Sequence, residues 1–159
     1  MDLLLRYDEE KGYADLVFEN GEFLQDGGLE TACLISLLTE ARALEDDLLP
    51  DPERGRSGWW GDSPGLADVP GDSTGSREWL LDREYVQGGG EQLAARIKEY
   101  TEEALKWLVD DGVAERVEVT VERSHDPPRH FVRSIQVFRP GEKEPAFKFK
   151  QEWDAQLEK

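Results

Sequence analysis

The sequence predicts an α+β domain: an N-terminal β-hairpin, two to three helices, a long acidic loop and a C-terminal antiparallel three-stranded sheet. Three observations carry that prediction. Apolar residues alternate at period two near both ends of the chain. Between them they recur at spacings of three and four. The elements come as strands, then helices, then strands, an order that places helices on one face of an antiparallel sheet. At 159 residues the chain is long enough for one domain over residues 1–159, with a real core.

Residues 2–7 place Leu3, Leu5 and Tyr7 on one face, and Leu16 and Phe18 continue the alternation in residues 14–19. Lys11-Gly12 lies between, so the two form a hairpin. Asn20-Gly21 is a strong type I′ turn signal, because that turn needs positive φ at both positions. It leads to a brief third strand at residues 22–24, which Asp26-Gly27-Gly28 interrupts.

Residues 29–38 predict a buried helix, with Ala32, Ile35 and Leu38 as its stripe and Leu34 and Leu37 widening it. Asp26 is its candidate cap, and the helix frays towards Arg42. Residues 44–73 then hold eight acids, two arginines, four prolines and five glycines, a net −6, with no period. An excursion of this length inside a domain is functional or disordered. The tryptophans argue for order, since disordered segments are poor in aromatics. The predicted inserted loop covers about 44–75.

Thr74 or Ser76 caps a short helix over residues 77–85. Residues 91–111 form the clearest helix, with Leu93, Ile97, Tyr100, Ala104 and Leu108 on one face and Leu105 and Trp107 broadening it. Glu102 and Lys106 are spaced for an i, i+4 pair, and Gly112 sits where a left-handed cap belongs. Val117, Val119 and Val121 mark the next strand. Phe131, Ile135 and Val137 mark the second, within residues 130–139. Phe147, Phe149 and Trp153 mark the third. Pro127-Pro128 and Pro140-Gly141 make the turns between them.

Acids outnumber bases 36 to 19, for a net charge of −17. That charge repels polyphosphate and anionic lipid, so neither nucleic acid nor membrane is a predicted partner, whereas cationic proteins are favoured. No cleaved leader opens the chain and no apolar run reaches the ~20 residues that span a bilayer. The single cysteine, Cys33, lies in an apolar helical run and reads as a small core residue, in a chain that folds under reducing conditions.

No constellation points to catalysis. The phosphate-loop and nucleophile-elbow patterns are missing, and no helix-opening lysine follows Gly71-Asp72-Ser73-Thr74-Gly75. His125 and His130 flank a Pro-Pro turn and make a poor zinc pair with one cysteine. Glu45, Asp46, Asp47, Asp51 and Glu53 lack the ligand spacing of a calcium loop. No cofactor, metal or catalytic residue is predicted.

The chemistry lies instead in residues 58–81, which hold three of the five tryptophans. Gly58-Trp59-Trp60-Gly61-Asp62 places two indoles between glycines in a segment with few other apolar residues. Such an anchor either pins the loop to its own domain or docks into a partner. Arg77 opens a helix, where the dipole disfavours a cation. A carboxylate of its own chain or of a neighbour holds such an arginine, unless it lies free on the surface.

Several stretches together resemble the Mu-like phage tail baseplate wedge family, relatives of the small wedge protein of T4-type baseplates. They are Gly28-Leu29-Glu30-Thr31-Ala32, Ile35-Ser36-Leu37, Gly58-Trp59-Trp60-Gly61-Asp62, Gly75-Ser76-Arg77 with Trp79-Leu80-Leu81, Ala104-Leu105-Lys106-Trp107-Leu108 and Asp111-Gly112-Val113-Ala114. The match covers roughly residues 1–122. The resemblance implies a small α+β structural protein, not an enzyme, that binds other wedge proteins and the hub, tube or sheath of a contractile tail. It implies a place in the virion after synthesis in the host cytoplasm, several copies per baseplate, and a monomer or weak dimer when isolated. It implies partner-binding residues Trp59, Trp60, Asp62, Arg77, Trp79 and Arg116. Broader relatives carry a Glu-Pro-Arg motif after the last helix; here Ala114-Glu115-Arg116-Val117 lacks the proline. Gly75-Ser76-Arg77 looks like the Gly-Glu-Arg that follows their first helix, with the acidic loop inserted before it. A carboxylate-based, lysozyme-like cell-wall hydrolase is the alternative, because 36 acids always allow a pair to be nominated.

Overall fold

The computed structural model describes residues 2–8, 10–26, 29–63, 73–83, 90–124 and 130–154, excepting the side chains of 82, 83, 130, 153 and 154. Its α+β order follows the prediction, with more strand than the N-terminal pattern announced. β1 (Asp2–Leu3) pairs with β6 (Gln25–Asp26), β2 (Leu5–Asp8) with β3 (Tyr13–Leu16), and β4 (Phe18–Glu19) with β5 (Glu22–Phe23), all antiparallel. Three two-stranded ribbons meet at Leu4, Val17 and Leu24. The Leu4 N–H donates to Leu24 O at 2.8 Å, Leu24 N–H to Val17 O at 2.9 Å, and Val17 N–H to Leu4 O at 3.0 Å. This closed triangle pairs backbone groups that three diverging ribbons would otherwise strand. Asn20 at φ 52° and Gly21 at φ 87° form the predicted positive-φ turn. The long-range β1–β6 pairing leaves no local signal.

α1 (Glu30–Leu38) follows. Asp26 caps it from the preceding strand, its carboxylate accepting the Thr31 N–H at 2.8 Å. Thr31 Oγ1 in turn donates to Leu3 O at 2.8 Å and accepts from Leu5 N–H at 3.0 Å, tying α1 to the N-terminal strands. The predicted buried stripe is out of phase. Cys33, Leu34 and Leu37 face the core, whereas Ile35 is 44% and Leu38 42% exposed. The helix does not fray towards Arg42; Thr39 ends it in an extended conformation.

α2 (Gly90–Asp110) buries Leu93, Ile97, Tyr100, Ala104, Leu105 and Leu108, as its periodicity predicts. The surface ion pairs shift by one turn from the predicted Glu102–Lys106: Lys98 pairs with Glu102 and Lys106 with Asp110. Gly112, at φ 71°, supplies the left-handed cap.

β7 (Arg116–Arg123), β8 (His130–Phe138) and β9 (Phe147–Asp154) form the C-terminal antiparallel sheet in the order β7-β8-β9. Period two sorts its faces. Val119, Ile135 and Phe149 align in one row, and Val117, Val137 and Phe147 in the next, all on the face that α2 and α1 cover. Lys148, Lys150, Glu118 and Glu122 stand on the other face in water. Tyr7 packs edge-on against Phe149 at 4.9 Å, docking the N-terminal ribbons on the same core. Pro127-Pro128, His125 and the predicted end of the short helix at 84–85 lie outside the described residues.

Candidate functional site

The acidic segment leaves the core and returns to it at one point. Ser76 N–H donates to Thr39 O at 2.9 Å, and Ala41 N–H donates to Ser76 O at 3.0 Å, a parallel bridge that staples the two ends. Gly75 is required there. Its φ is +112°, and a Cβ would lie 2.4 Å from Thr39 O.

Arginines then tie the loop together. Arg56 donates to Leu44 O and, at 2.8 Å, to Glu45 O, while Ala43 N–H donates to Arg56 O at 2.9 Å. Arg54 and the Ser57 hydroxyl both reach the Glu40 carboxylate. Five backbone or side-chain links of this kind replace the apolar core that so polar a segment cannot form.

Arg77 is the central clamp. Its Nη1 donates to both Asp47 oxygens at 3.0 and 2.9 Å. Its Nε and Nη2 donate to Glu103 at 3.2 and 2.7 Å, and its guanidinium lies 4.8 Å over the Tyr100 ring. Burial pushes the Asp47 carboxyl up, but the Arg77 hydrogen bonds, the Leu44 N–H and the charges of Arg77 and Arg56 together outweigh that and hold it below the usual value. Burial likewise opposes the Arg77 charge, yet Glu103 and Asp47 raise its pKa above that of an ordinary arginine. Arg77 therefore joins α2, the loop and the short 3₁₀ helix Arg77–Arg83, using carboxylates of its own chain. Ser76 caps that 3₁₀ helix as predicted, accepting the Glu78 N–H at 3.2 Å.

The tryptophans divide. Trp79 is buried and its indole donates to Ala41 O at 2.8 Å, so it presents nothing to a partner and packs as core. Trp59 is 42% exposed and lies across Gly61, where a Cβ would come within 2.1 Å of its ring. Trp60 is 71% exposed and its ring stands 5.4 Å from that of Trp59. The loop is thus pinned by its arginines and by Trp79, not by Trp60. Asp62, two residues after Trp60, ties this stretch to the returning chain: its carboxylate accepts Thr74 N–H at 2.8 Å and Thr74 Oγ1–H at 3.0 Å. Leu48, 87% exposed, and Leu44 add apolar surface on the same acidic loop, among Glu45, Asp46 and Glu53.

Arg116 stands apart from this loop. It begins β7, pairs with Glu118 at 2.8 Å and covers the Phe138 ring at 3.6 Å. The neighbouring Glu115 accepts the Gly141 N–H at 3.1 Å, so the stretch without its proline is anchored to the β8–β9 turn.

One polar centre escaped the sequence reading. Arg133, 2% exposed, sits in the inward row of β8. Its Nη1 donates to Glu78 at 2.7 Å and to Thr101 at 2.8 Å, and its Nη2 to Gln151. Gln151 donates onward to the Tyr7 hydroxyl at 3.1 Å. The signal was present: Phe131, Ile135 and Val137 at period two require position 133 to face inward. Arg133 Nε has no partner. A cleft of about 250 Å³ opens beside it, lined also by Leu38, Glu40 and Glu78.

Cys33 is wholly buried and its thiol is pushed up to about 12, chiefly by that burial, which leaves it inert as a nucleophile. Among the described residues no group of three His, Cys, Asp or Glu converges to hold a metal, and no helix is long and apolar enough to cross a membrane.

Comparison with known proteins bears on what such a surface serves. A family model described as phage protein GP46 matches residues 29–144. The baseplate protein gp46 of Escherichia phage Mu is 40% identical over 114 residues, covering 72% of this chain and 73% of the Mu protein. The Mu-like prophage FluMu protein gp46 of Haemophilus influenzae is 38% identical over 111 residues, covering 68% of this chain and 67% of that protein.

Proposed function

The chain belongs to the phage protein GP46 family, and from that premise we propose that it is a structural subunit of a contractile-tail baseplate, resident in the virion. Its place is the wedge, where it binds other wedge proteins and the hub, tube or sheath. Synthesis takes place in the host cytoplasm, and several copies enter each baseplate. The observation that carries the contact is the pair Trp59–Trp60, exposed on a loop whose described residues 54–57 are hydrogen-bonded to residues 40–45. Exposed indoles on a pre-ordered backbone lose little conformational entropy on binding, which is the character of an interface hot spot. Asp62 ties the segment that carries them to Thr74, Arg77 clamps Asp47 at the start of the loop to α2, and Trp79 fixes its base. Arg116 offers a separate cationic contact at the start of β7. The acidic rim favours a partner with basic residues around its indole pocket.

The chain performs no reaction in this account. Glu40 and Glu78 line one cleft, as a hydrolase pair would, yet each is spent on an arginine of its own chain. Complementation of tails with Trp60→Ala tests the proposal. Tails fail to assemble, or bind the variant at least about 30-fold more weakly, the equivalent of a hot spot of ~2 kcal/mol. Normal assembly by Trp60→Ala, or cell-wall clearing in a zymogram by the parent chain, contradicts it.

A further inference from the structure

A second hollow lies between the two helices. It has about 290 Å³ and is lined by Ala32 and Ile35 of α1, Ala104 and Trp107 of α2, hydroxyl residues of α1 and of residues 73–75, and the carboxylates Asp2 and Asp111. Four features set it apart from loose packing. Two alanines keep it open, although larger side chains at either position would fill it and strengthen the helix contact. The Trp107 indole that walls it is fixed, its N–H donating to Ser36 Oγ at 3.0 Å, and the Thr31 and Thr74 hydroxyls that also line it are already spent within the chain, on Leu3 O and the Asp62 carboxylate. Ile35 stands beside it, 44% exposed on the face of α1 turned from the core. Asp111 follows Asp110 at the carboxyl end of α2, where the helix dipole disfavours negative charge. Among the described residues neither Asp2 nor Asp111 forms an ion pair.

We infer that this hollow is a second docking site, which takes an aliphatic side chain of a neighbouring baseplate subunit, carried beside a lysine or arginine that pairs with Asp2 and Asp111. The hollow lies just below the ~300–1,000 Å³ of small-molecule pockets, a size that suits one inserted side chain. A second copy of this chain is disfavoured as occupant, because at −17 each copy repels the other. The inference rests on the baseplate reading above but not on the tryptophan loop. With two separate faces the subunit bridges two neighbours instead of capping one.

Thiol mapping tests it. Native Cys33, wholly buried, is silent to maleimide. The variants Ile35→Cys, Trp60→Cys and Glu142→Cys are labelled as free chains and in assembled tails. Ile35→Cys reacts in the free chain and at least about tenfold more slowly in tails, since covered thiols exclude the reagent; the reference Glu142→Cys reacts equally in both. Asp111→Asn leaves the free chain as stable or more so, yet lowers its incorporation into tails. A folded Ile35→Cys chain excluded from tails that accept Glu142→Cys also supports the site. Equal labelling of Ile35→Cys in both forms overturns it. So does protection in the free chain that vanishes on dilution, which would assign the hollow to a second copy. If Trp60→Cys is protected and Ile35→Cys is not, only this site fails. If the parent chain is absent from tails, the baseplate reading fails and takes this site with it.

Discussion

Replacing Arg133 by methionine should be among the more damaging single changes in this protein. The guanidinium links four elements, through Glu78 of the 3₁₀ helix, Thr101 of α2 and Gln151 of β9. Methionine fills much of the same volume and relieves the unpartnered Nε, a gain. It also leaves the Glu78 carboxylate, 15% exposed, without its cation. Breaking one side of a buried pair costs about 3–5 kcal/mol, and the residual water at Glu78 places this case near 3. With a urea m-value of about 2 kcal/mol/M, the midpoint falls by about 1.5 M. Urea unfolding followed by tryptophan fluorescence measures it. The double variant Arg133→Met with Glu78→Gln should recover more than half of the loss, because no buried charge is then stranded. A single variant within about 1 kcal/mol of the parent, or a double variant worse than the sum of the singles, refutes the argument.

Three further outcomes follow from the geometry. Gly75→Ala should destabilise by about 2 kcal/mol or more, since φ is +112° and the new Cβ meets Thr39 O; thermal melts check it. Cys33 should stay unlabelled by a thiol reagent at pH 8 in the native chain and react on unfolding, as a buried thiol pushed up to about 12 requires. Asp47 has a folded pKa below its unfolded value, so its contribution is present above the ordinary carboxylate range and lost as pH falls through the lower folded value. Asp47→Asn should flatten that part of the stability-versus-pH curve, and an unchanged acid limb would show that the Arg77 clamp does not couple to folding.

Much of this architecture was legible in the chain. The Asn20-Gly21 turn, the buried face of α2 and the three-stranded sheet followed from periodicity and turn chemistry, which are local. α1 was misphased because Ala32, Cys33, Leu34, Ile35, Leu37 and Leu38 surround the helix with apolar residues, so spacing alone cannot choose a face. Only contact with β2 and α2 chooses it, and that choice exposes Ile35. Arg133 does not stand out in the sequence, because its charge argues for the surface and only its register in β8 argues for the core. The β1–β6 ladder joins residues some two dozen positions apart, beyond any local signal. At the candidate site, the sequence marked the tryptophan cluster but could not say which indole was core. Trp79 follows a helix cap into the interior, whereas Trp59 and Trp60 lie beyond a stretch that mostly side-chain links tie between residues 40–45 and 54–57.

On the proposed reading, the subunit meets its partner through the exposed indoles of Trp59 and Trp60. A cryo-EM reconstruction of the assembled tail tests it most directly. Trp60, 71% exposed in the free chain, should be covered there by a different polypeptide, with lysine or arginine of that chain near the acidic rim. A reconstruction in which Trp59 and Trp60 face solvent in every copy would contradict it.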